Sequence, residues 1–340
     1  MRATVLRGSS LQIEEVEMPT PGPGEVLIAP ERSGLCPSGV AAVTGDSTWG
    51  YTDPVGFPGH EFSGDVIEVG DGVSHVSPGE RVVADLELRC GTCAYCRSGR
   101  ENLCPDRSGL GYFSHAEYAK AVGDQTYRVP DSVSYEAAAF TEPLSCVLHS
   151  VSNAGLPRSG TVLVVGAGQM GLLHLKLLRS LSNADVIVTD LREDRRARAE
   201  RFGADLVCSP ADDLETTVRE FTDDEPLACA FVTVGNTTVQ EETFALLDRG
   251  APVVLYAGIH ADGTPTLDID PNRIHYGERS VVGSNSKTGE EFIRALEMIG
   301  KGDLGVTDLV TDRLPLSEID RGVRAVSEQE TIKTMITPQE

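Results

Sequence analysis

Positive charge is what this chain has least of. Its 340 residues carry 29 Lys and Arg against 52 Asp and Glu, a net charge of -23, and lysine occurs only at 120, 176, 287, 301 and 333. A surface of that sign repels phosphate backbones, so nucleic acid is excluded as a partner. Long apolar runs are missing too: TVLVVGAGQMGLL is broken by glycine and polar residues before it could span a bilayer, so no membrane partner is expected. The opening MRATVLRGSSLQIEE contains no signal-peptide hydrophobic segment, which leads to the expectation of a cytoplasmic protein. Internal repeats and long low-complexity segments are absent.

What is present is enough for two domains with real cores, since 40% of the residues are apolar. The acidic, lysine-poor composition suits a salt-rich (halophilic) cytoplasm, where screening suppresses self-repulsion. A high-GC genome that favours arginine is the competing explanation. Eight cysteines are unevenly placed, four of them in CGTCAYCRSGRENLC. That spacing in a chain of this kind favours metal thiolates over disulfides. Cys146, Cys208 and Cys229 lie in apolar surroundings and are expected to be buried.

The first third reads as short strands and turns. RATVLRG and LQIEEVEM form a hairpin, EVLIAPERSG is a strand running into Cys36, and EFSGDVIEVGDGV and ERVVADLEL add further strands. YEAAAFTEPLSCVLHSVSNAG reads as helix, with Pro143 expected to kink it or to separate two helices. From residue 161 short apolar strands alternate with amphipathic helices, the pattern of a parallel sheet with crossovers. The alternation stops near residue 281, and the helical, mixed remainder is expected to return to the first domain.

Within that alternation, VLVVGAGQMG places Gly166, Gly168 and Gly171 as G-x-G-x-x-G after a strand and at the start of a helix, with Gln169 and Met170 between them. Gly166 permits the tight turn, Gly168 lets the backbone approach a pyrophosphate, and Gly171 lets the helix sit close to the sheet. The next strand, DVIVTD, ends in Asp190, where a ribose 2′-hydroxyl would be accepted by a carboxylate. Asp190 favours NAD by repelling a 2′-phosphate; Arg192 and Arg195 keep NADP open.

Cys90, Cys93, Cys96 and Cys104 fit a closed tetrahedron around a structural zinc, with an iron-sulfur cluster as the alternative. A catalytic zinc needs about three protein ligands and an open position. Cys36, His60, Glu61 and Glu142 offer thiolate, imidazole and carboxylate for such a site, which would polarise an alcohol oxygen. Each has a plainer reading as a buried thiol, a turn histidine or a surface carboxylate, and spacing does not assemble them.

GHEFSGDVIEVG at 59 to 70, the four-cysteine segment at 90 to 104, EPLSCVLH at 142 to 149, and VLVVGAGQMG through VIVTD together resemble the zinc-containing medium-chain dehydrogenase/reductase family, in particular its sorbitol, threonine and other polyol dehydrogenase branches. The resemblance covers essentially the whole chain. It implies an α/β fold with a beta-rich GroES-like catalytic domain (1–149 and 282–340, with the structural zinc lobe at 90–104). A doubly wound parallel-sheet Rossmann domain (150–281) would bind the dinucleotide, and the active site would lie in the cleft. It assigns Cys36 and His60 as catalytic zinc ligands, Glu61 as a nearby or exchangeable ligand, and Glu142 as a carboxylate reaching the metal directly or through water. Ser38 would pass the alcohol proton outward, and Gly166, Gly168, Gln169, Met170, Gly171, Asp190 and Arg195 would hold the cofactor.

The implied activity is NAD(P)-dependent hydride transfer between the nicotinamide and a secondary alcohol or ketone of a sugar, polyol or cyclitol, in a homo-oligomer (dimer or tetramer). The polyol branch usually reads Cys-Gly-Ser/Thr-Asp-x-His, whereas this chain has Cys36-Pro37-Ser38-Gly39-Val40-Ala41. Gly39 stands in place of the aspartate that supports the zinc-bound histidine, and Ala41 in place of the relay histidine. Those departures leave open a zinc-lost NADPH-dependent reductase of the same superfamily, or a non-catalytic nucleotide-binding protein. Trp49, Tyr51, Phe57 and Tyr112 are candidate pocket wall or core, and His149 is read as a helix residue.

Overall fold

The strand Glu25–Gly34 is buried along most of its length because it is paired on both sides. In this computed structural model, which describes residues 1–7, 10–44, 55–259 and 264–340, the chain forms two compact units. One comprises Met1–Ser145 with Lys287–Glu340, the other Cys146–Ser286.

In the first unit the hairpin Arg2–Arg7 with Ser10–Glu15 forms as predicted. A seven-stranded sheet follows the order Val310–Pro315, Lys333–Thr337, Glu25–Gly34, Glu61–Val69, Arg81–Ala84 and Thr126–Arg128, with Ala119–Val122 also pairing Glu25–Gly34. Its core gathers Val26, Ile28, Phe62, Val66, Val82 and Ile336. The register matters for chemistry. Gly34 lies opposite both Glu61 and Met335, and Leu35 donates its N–H to the Thr334 carbonyl at 3.0 Å. Three sequence-distant stretches therefore end at one place: Cys36, Glu61 and Lys333.

The second unit is a six-stranded, wholly parallel sheet ordered Leu206–Cys208, Asp185–Thr189, Thr161–Val165, Leu227–Val232, Pro252–Leu255, Ser280–Gly283. The first strand in sequence is central and the order reverses beside it, the doubly wound arrangement whose switch point receives ligands. Thr161–Val165 is buried throughout, as a strand covered on both faces must be. The helix Gln169–Leu181 starts where the glycine motif places it.

Two open alternatives are decided and one expectation changes. Of the two outcomes expected around Pro143, the separate helices are seen: Tyr135–Ala138 and Thr141–Ala154 are distinct, the break falls before Thr141, and Pro143 sits in the first turn of the second, where its missing N–H costs nothing. Cys208 and Cys229 are buried, but Cys146 is only partly so because its face of Thr141–Ala154 is incompletely covered. Phe57 is core, 3% exposed and edge-on to Phe113, while Trp49 and Tyr51 lie outside the described residues. Among the described residues no helix is long and apolar enough to cross a membrane.

Candidate metal and dinucleotide sites

Cys36 follows the end of strand Glu25–Gly34, and His60 and Glu61 open the neighbouring strand. Their donor atoms lie within 4.8 Å of one another. The Pro58 carbonyl accepts the His60 Nδ1–H at 2.9 Å, which leaves Nε2 with its lone pair. Burial lowers the pKa of His60, Glu142 raises it and Lys287 lowers it again, with the net effect of keeping the imidazole neutral and able to ligate. Glu61 is 1% exposed; its Oε2 pairs with Lys333 Nζ, and its Oε1 is buried without a hydrogen-bond donor. A thiol, a neutral imidazole and an orphaned carboxylate oxygen facing one point fit a zinc ion with a position left for substrate. Ser38, exposed, has its Oγ 3.1 Å from the Cys36 sulfur.

Glu142, in the first turn of Thr141–Ala154, stands outside that donor set. Its Oε1 accepts from Lys287 Nζ at 2.9 Å. Burial works against its ionisation, yet the Lys287 ammonium with His60 holds its pKa below the usual carboxylate range. Lys287 Nζ also lies 3.3 Å from Asp85 Oδ1 and 3.8 Å from Glu87 Oε2, and Asp85 is paired again with Arg89 at 2.7 Å. Burial likewise opposes the charge on Asp85, and Lys287 and Arg89 prevail over it.

Sequence reasoning passed over Lys287, Lys333, Asp85 and His115. One signal was present for Lys333: it interrupts TIKTMIT, a strand that is otherwise apolar or hydroxylic and buried at every position from Lys333 to Thr337. Gly34 makes room for it, because a Cβ there would fall 2.5 Å from both Glu61 Oε2 and Lys333 Cε. Burial pulls the Lys333 ammonium down to about 7, against the opposing pull of Cys36. His115, hydrogen-bonded to Ser33 Oγ at 3.0 Å, is pushed down to about 3 by burial and by His60.

Cys90, Cys93, Cys96 and Cys104 also bring their sulfurs within 4.8 Å of one another. Backbone amides point at them: Cys93 N–H to the Cys90 sulfur at 3.3 Å, Cys96 N–H to Cys93 at 3.4 Å, Cys90 N–H to Cys104 at 3.5 Å. Hydrogen bonds from Thr92 and Cys93 draw the Cys90 thiol down to about 6. Four thiols, one preset as thiolate and none needed elsewhere, fit a closed tetrahedral zinc site.

In the second unit Gly166 has φ +98°, and a Cβ on Gly171 would overlap the Gly166 carbonyl, so both positions require glycine. Among the described residues only Arg195 Nη1 comes within 4 Å of a would-be Cβ on Gly168, which leaves room at the helix start for a pyrophosphate. Gln169 and Met170 form the first turn of that helix. Asp190 does more than expected: Oδ2 accepts the Ala167 N–H at 2.7 Å and Oδ1 the Arg192 N–H at 2.9 Å. The carboxylate therefore shapes the glycine turn as well. Arg195 Nη1 lies 4.0 Å from Asp190 Oδ2.

Two family models match different parts of the chain. Residues 22–131 match the family model described as an alcohol dehydrogenase GroES-like domain, and residues 169–301 that described as a zinc-binding dehydrogenase. A sorbitol dehydrogenase of Halalkalibacterium halodurans is 32% identical over 96% of this chain and 95% of its own. A D-arabitol-phosphate dehydrogenase of Enterococcus avium is 31% identical over 95% and 92%. Among solved structures, a Sinorhizobium meliloti protein bound to NADP superimposes with a TM-score of 0.90 at 26% identity, over 99% of each chain.

Proposed function

The chain belongs to the zinc-type medium-chain dehydrogenases of the sorbitol and polyol branch, and on that premise we propose that it interconverts a secondary alcohol of a sugar, polyol or cyclitol and the corresponding ketone by hydride transfer to and from NAD(P). The observation that carries this reading is the donor set Cys36, His60 and Glu61, gathered within 4.8 Å around one point.

Those three side chains would hold the catalytic zinc, and the four cysteines the structural one. Zinc at the first position supplies a Lewis acid that lowers the pKa of the substrate hydroxyl, the first requirement of hydride removal. Ser38 then carries the work of proton transfer: its exposed Oγ, beside the Cys36 sulfur, accepts the hydroxyl proton and releases it to solvent, with Ala41 offering no relay. The Pro58 carbonyl fixes the ring of His60, and Lys333, itself buried, compensates the charge of the buried Glu61. In the dinucleotide unit the glycine turn receives the pyrophosphate and Asp190 the adenosine ribose, which supports NAD over NADP. Dimer or tetramer assembly is carried by the family resemblance, and a salt-rich cytoplasmic setting by the net charge of -23.

The test is a screen of polyols and secondary alcohols with NAD and NADP at high and low salt, joined to metal analysis. Two zinc ions per chain and reduction of the nicotinamide by a polyol are expected. One zinc per chain without polyol oxidation would instead favour the zinc-lost reductase.

A further inference from the structure

A carboxylate beside an open metal position is ordinarily a competitor for that position, yet Glu142 is engaged elsewhere. Its partner Lys287 is itself fixed from several sides. Arg89 donates to the Lys287 carbonyl at 3.2 Å, Thr288 caps the helix Gly289–Lys301 through a reciprocal pair with Glu291, and Glu101 accepts the Gly289 N–H at 2.8 Å. Arg89 immediately precedes Cys90, and Glu101 lies between Cys96 and Cys104. Both supports of the 287–289 segment are thus rooted in the four-cysteine lobe.

Charges of both signs surround Lys287. Asp85, Glu87 and Glu142 face Lys287, Arg89 and Arg107, the last 2.8 Å from Glu87 Oε1; Lys287 and His60 favour the ionised form of Glu142, and Asp85 opposes it. If Glu142 left for the metal, Lys287 would lose the nearest of the three carboxylates ranged around it in a buried setting, and a buried charge that loses a partner is penalised. The position of the Lys287 ammonium therefore decides where Glu142 resides.

We propose that Lys287 is a positioning residue that holds Glu142 off the catalytic metal and so keeps the fourth coordination position open to substrate. The lobe acts as the anchor from which Lys287 is presented. Without the ammonium, Glu142 turns toward the cation and occupies the substrate's place, binding the metal more tightly and raising the substrate KM. This inference rests on the assignment of Cys36, His60 and Glu61 as the metal site.

The experiment uses the full-length protein with zinc kept in the four-cysteine lobe and cobalt exchanged into the other site, observed by visible absorption. A thiolate-to-cobalt band that disappears in Cys36→Ser establishes the metal site; its persistence in that variant would sink the site assignment itself, separately from the role of Lys287. With the site established, Lys287→Met is expected to shift the d–d bands, to slow chelator-driven cobalt loss roughly tenfold and to raise the substrate KM, while Lys287→Arg keeps the wild-type spectrum. The double variant Lys287→Met/Glu142→Gln is expected to return to the wild-type spectrum, since no carboxylate remains to turn inward. A folded Lys287→Met with wild-type bands overturns the proposal. So does Glu142→Gln alone if it shifts the bands, because Glu142 would then be a ligand already; this arm decides even where Lys287→Met does not fold.

Discussion

The Pro58 carbonyl accepts the Nδ1–H of His60 at 2.9 Å, and the Pro58 ring fills the space beside Gly39, where an added Cβ would lie 2.7 Å from the proline Cβ. The two facts are linked. A backbone carbonyl has taken over the orientation of the histidine that an aspartate at residue 39 would otherwise provide, and the element that supplies it excludes that aspartate. Gly39→Asp is therefore expected to displace Pro58 rather than add a support, and to weaken metal binding at the Cys36 site by about tenfold, the lower end of what loss of such an orienting partner costs. Competition with a chromophoric chelator measures this; equal or tighter metal retention would show that Pro58 is not what aligns His60.

Replacement of Cys36 and of Cys93 should separate the two metal sites. Cys36→Ser removes one donor from an open site on a fully formed sheet, so metal content falls from two to one per chain and turnover drops by orders of magnitude, while the melting temperature hardly changes. Cys93 both faces the lobe's metal position and caps the short helix Ala94–Arg97 by accepting the Cys96 N–H. Cys93→Ser is accordingly expected to lose the lobe metal and to melt earlier, since structural zinc binding is itself folding free energy. A Cys93→Ser protein that keeps both metals and its melting point contradicts a structural role for the lobe.

Much of this was readable from the residues, and what was not has a common physical origin. The strand from Glu25 into Cys36, the helix beginning at Gln169 and the cysteine cluster depend on local periodicity and spacing, which a sequence states directly. The meeting of Cys36 with His60 and Glu61 depends on register: Gly34 pairs with Glu61 across two strands separated by a segment of no legible pattern. Lys287 left no sequence signal and Lys333 only a faint one, for a further reason. A lysine is read as exposed by default, and only three-dimensional packing reveals that each is buried against carboxylates from remote parts of the chain. Pro143 signalled an interruption but not its place, because the break falls before Thr141 and leaves the proline in the first turn of the second helix.

Asp190 is expected to decide between the two cofactors and to report its second duty at the same time. Asp190→Ser removes a carboxylate from the ribose position, where charge-assisted hydrogen bonds are worth about 1.5–3 kcal/mol. The KM for NAD should rise by roughly ten- to a hundredfold, and the KM for NADP should fall as Arg195 is released from its neighbour. The Ala167 N–H loses its acceptor in the same variant, so a lower melting temperature should accompany the change. Steady-state kinetics with both cofactors and a thermal melt check this; an unaltered ratio of the two KM values would mean that Asp190 serves only the turn.

His174 makes acid stability a further reading of the dinucleotide unit. It lies fully buried in the helix Gln169–Leu181, between the rings of Phe231 and Tyr256, each 4.9 Å away. Its Nδ1–H donates to the Met170 carbonyl at 2.7 Å, so Nε2, 2.9 Å from the Ser150 hydroxyl, must accept. The accepting role of Nε2 and the apolar surroundings select the neutral ring, and burial pushes its pKa from 6.5 down to about 4 despite the Met170 carbonyl. The unfolded chain takes up a proton on this side chain below pH 6.5 and the folded chain only near pH 4. The stabilisation from keeping the ring neutral is therefore complete above pH 6.5 and is lost as the pH falls toward 4, by up to about 3 kcal/mol. His174→Phe keeps the ring packing and removes the titration. Urea unfolding followed between pH 7 and pH 4 should show the wild type losing more stability than the variant by that amount, even though the variant starts lower for want of a partner to Ser150. Parallel losses in the two proteins would mean that His174 titrates alike folded and unfolded, which its contacts do not allow.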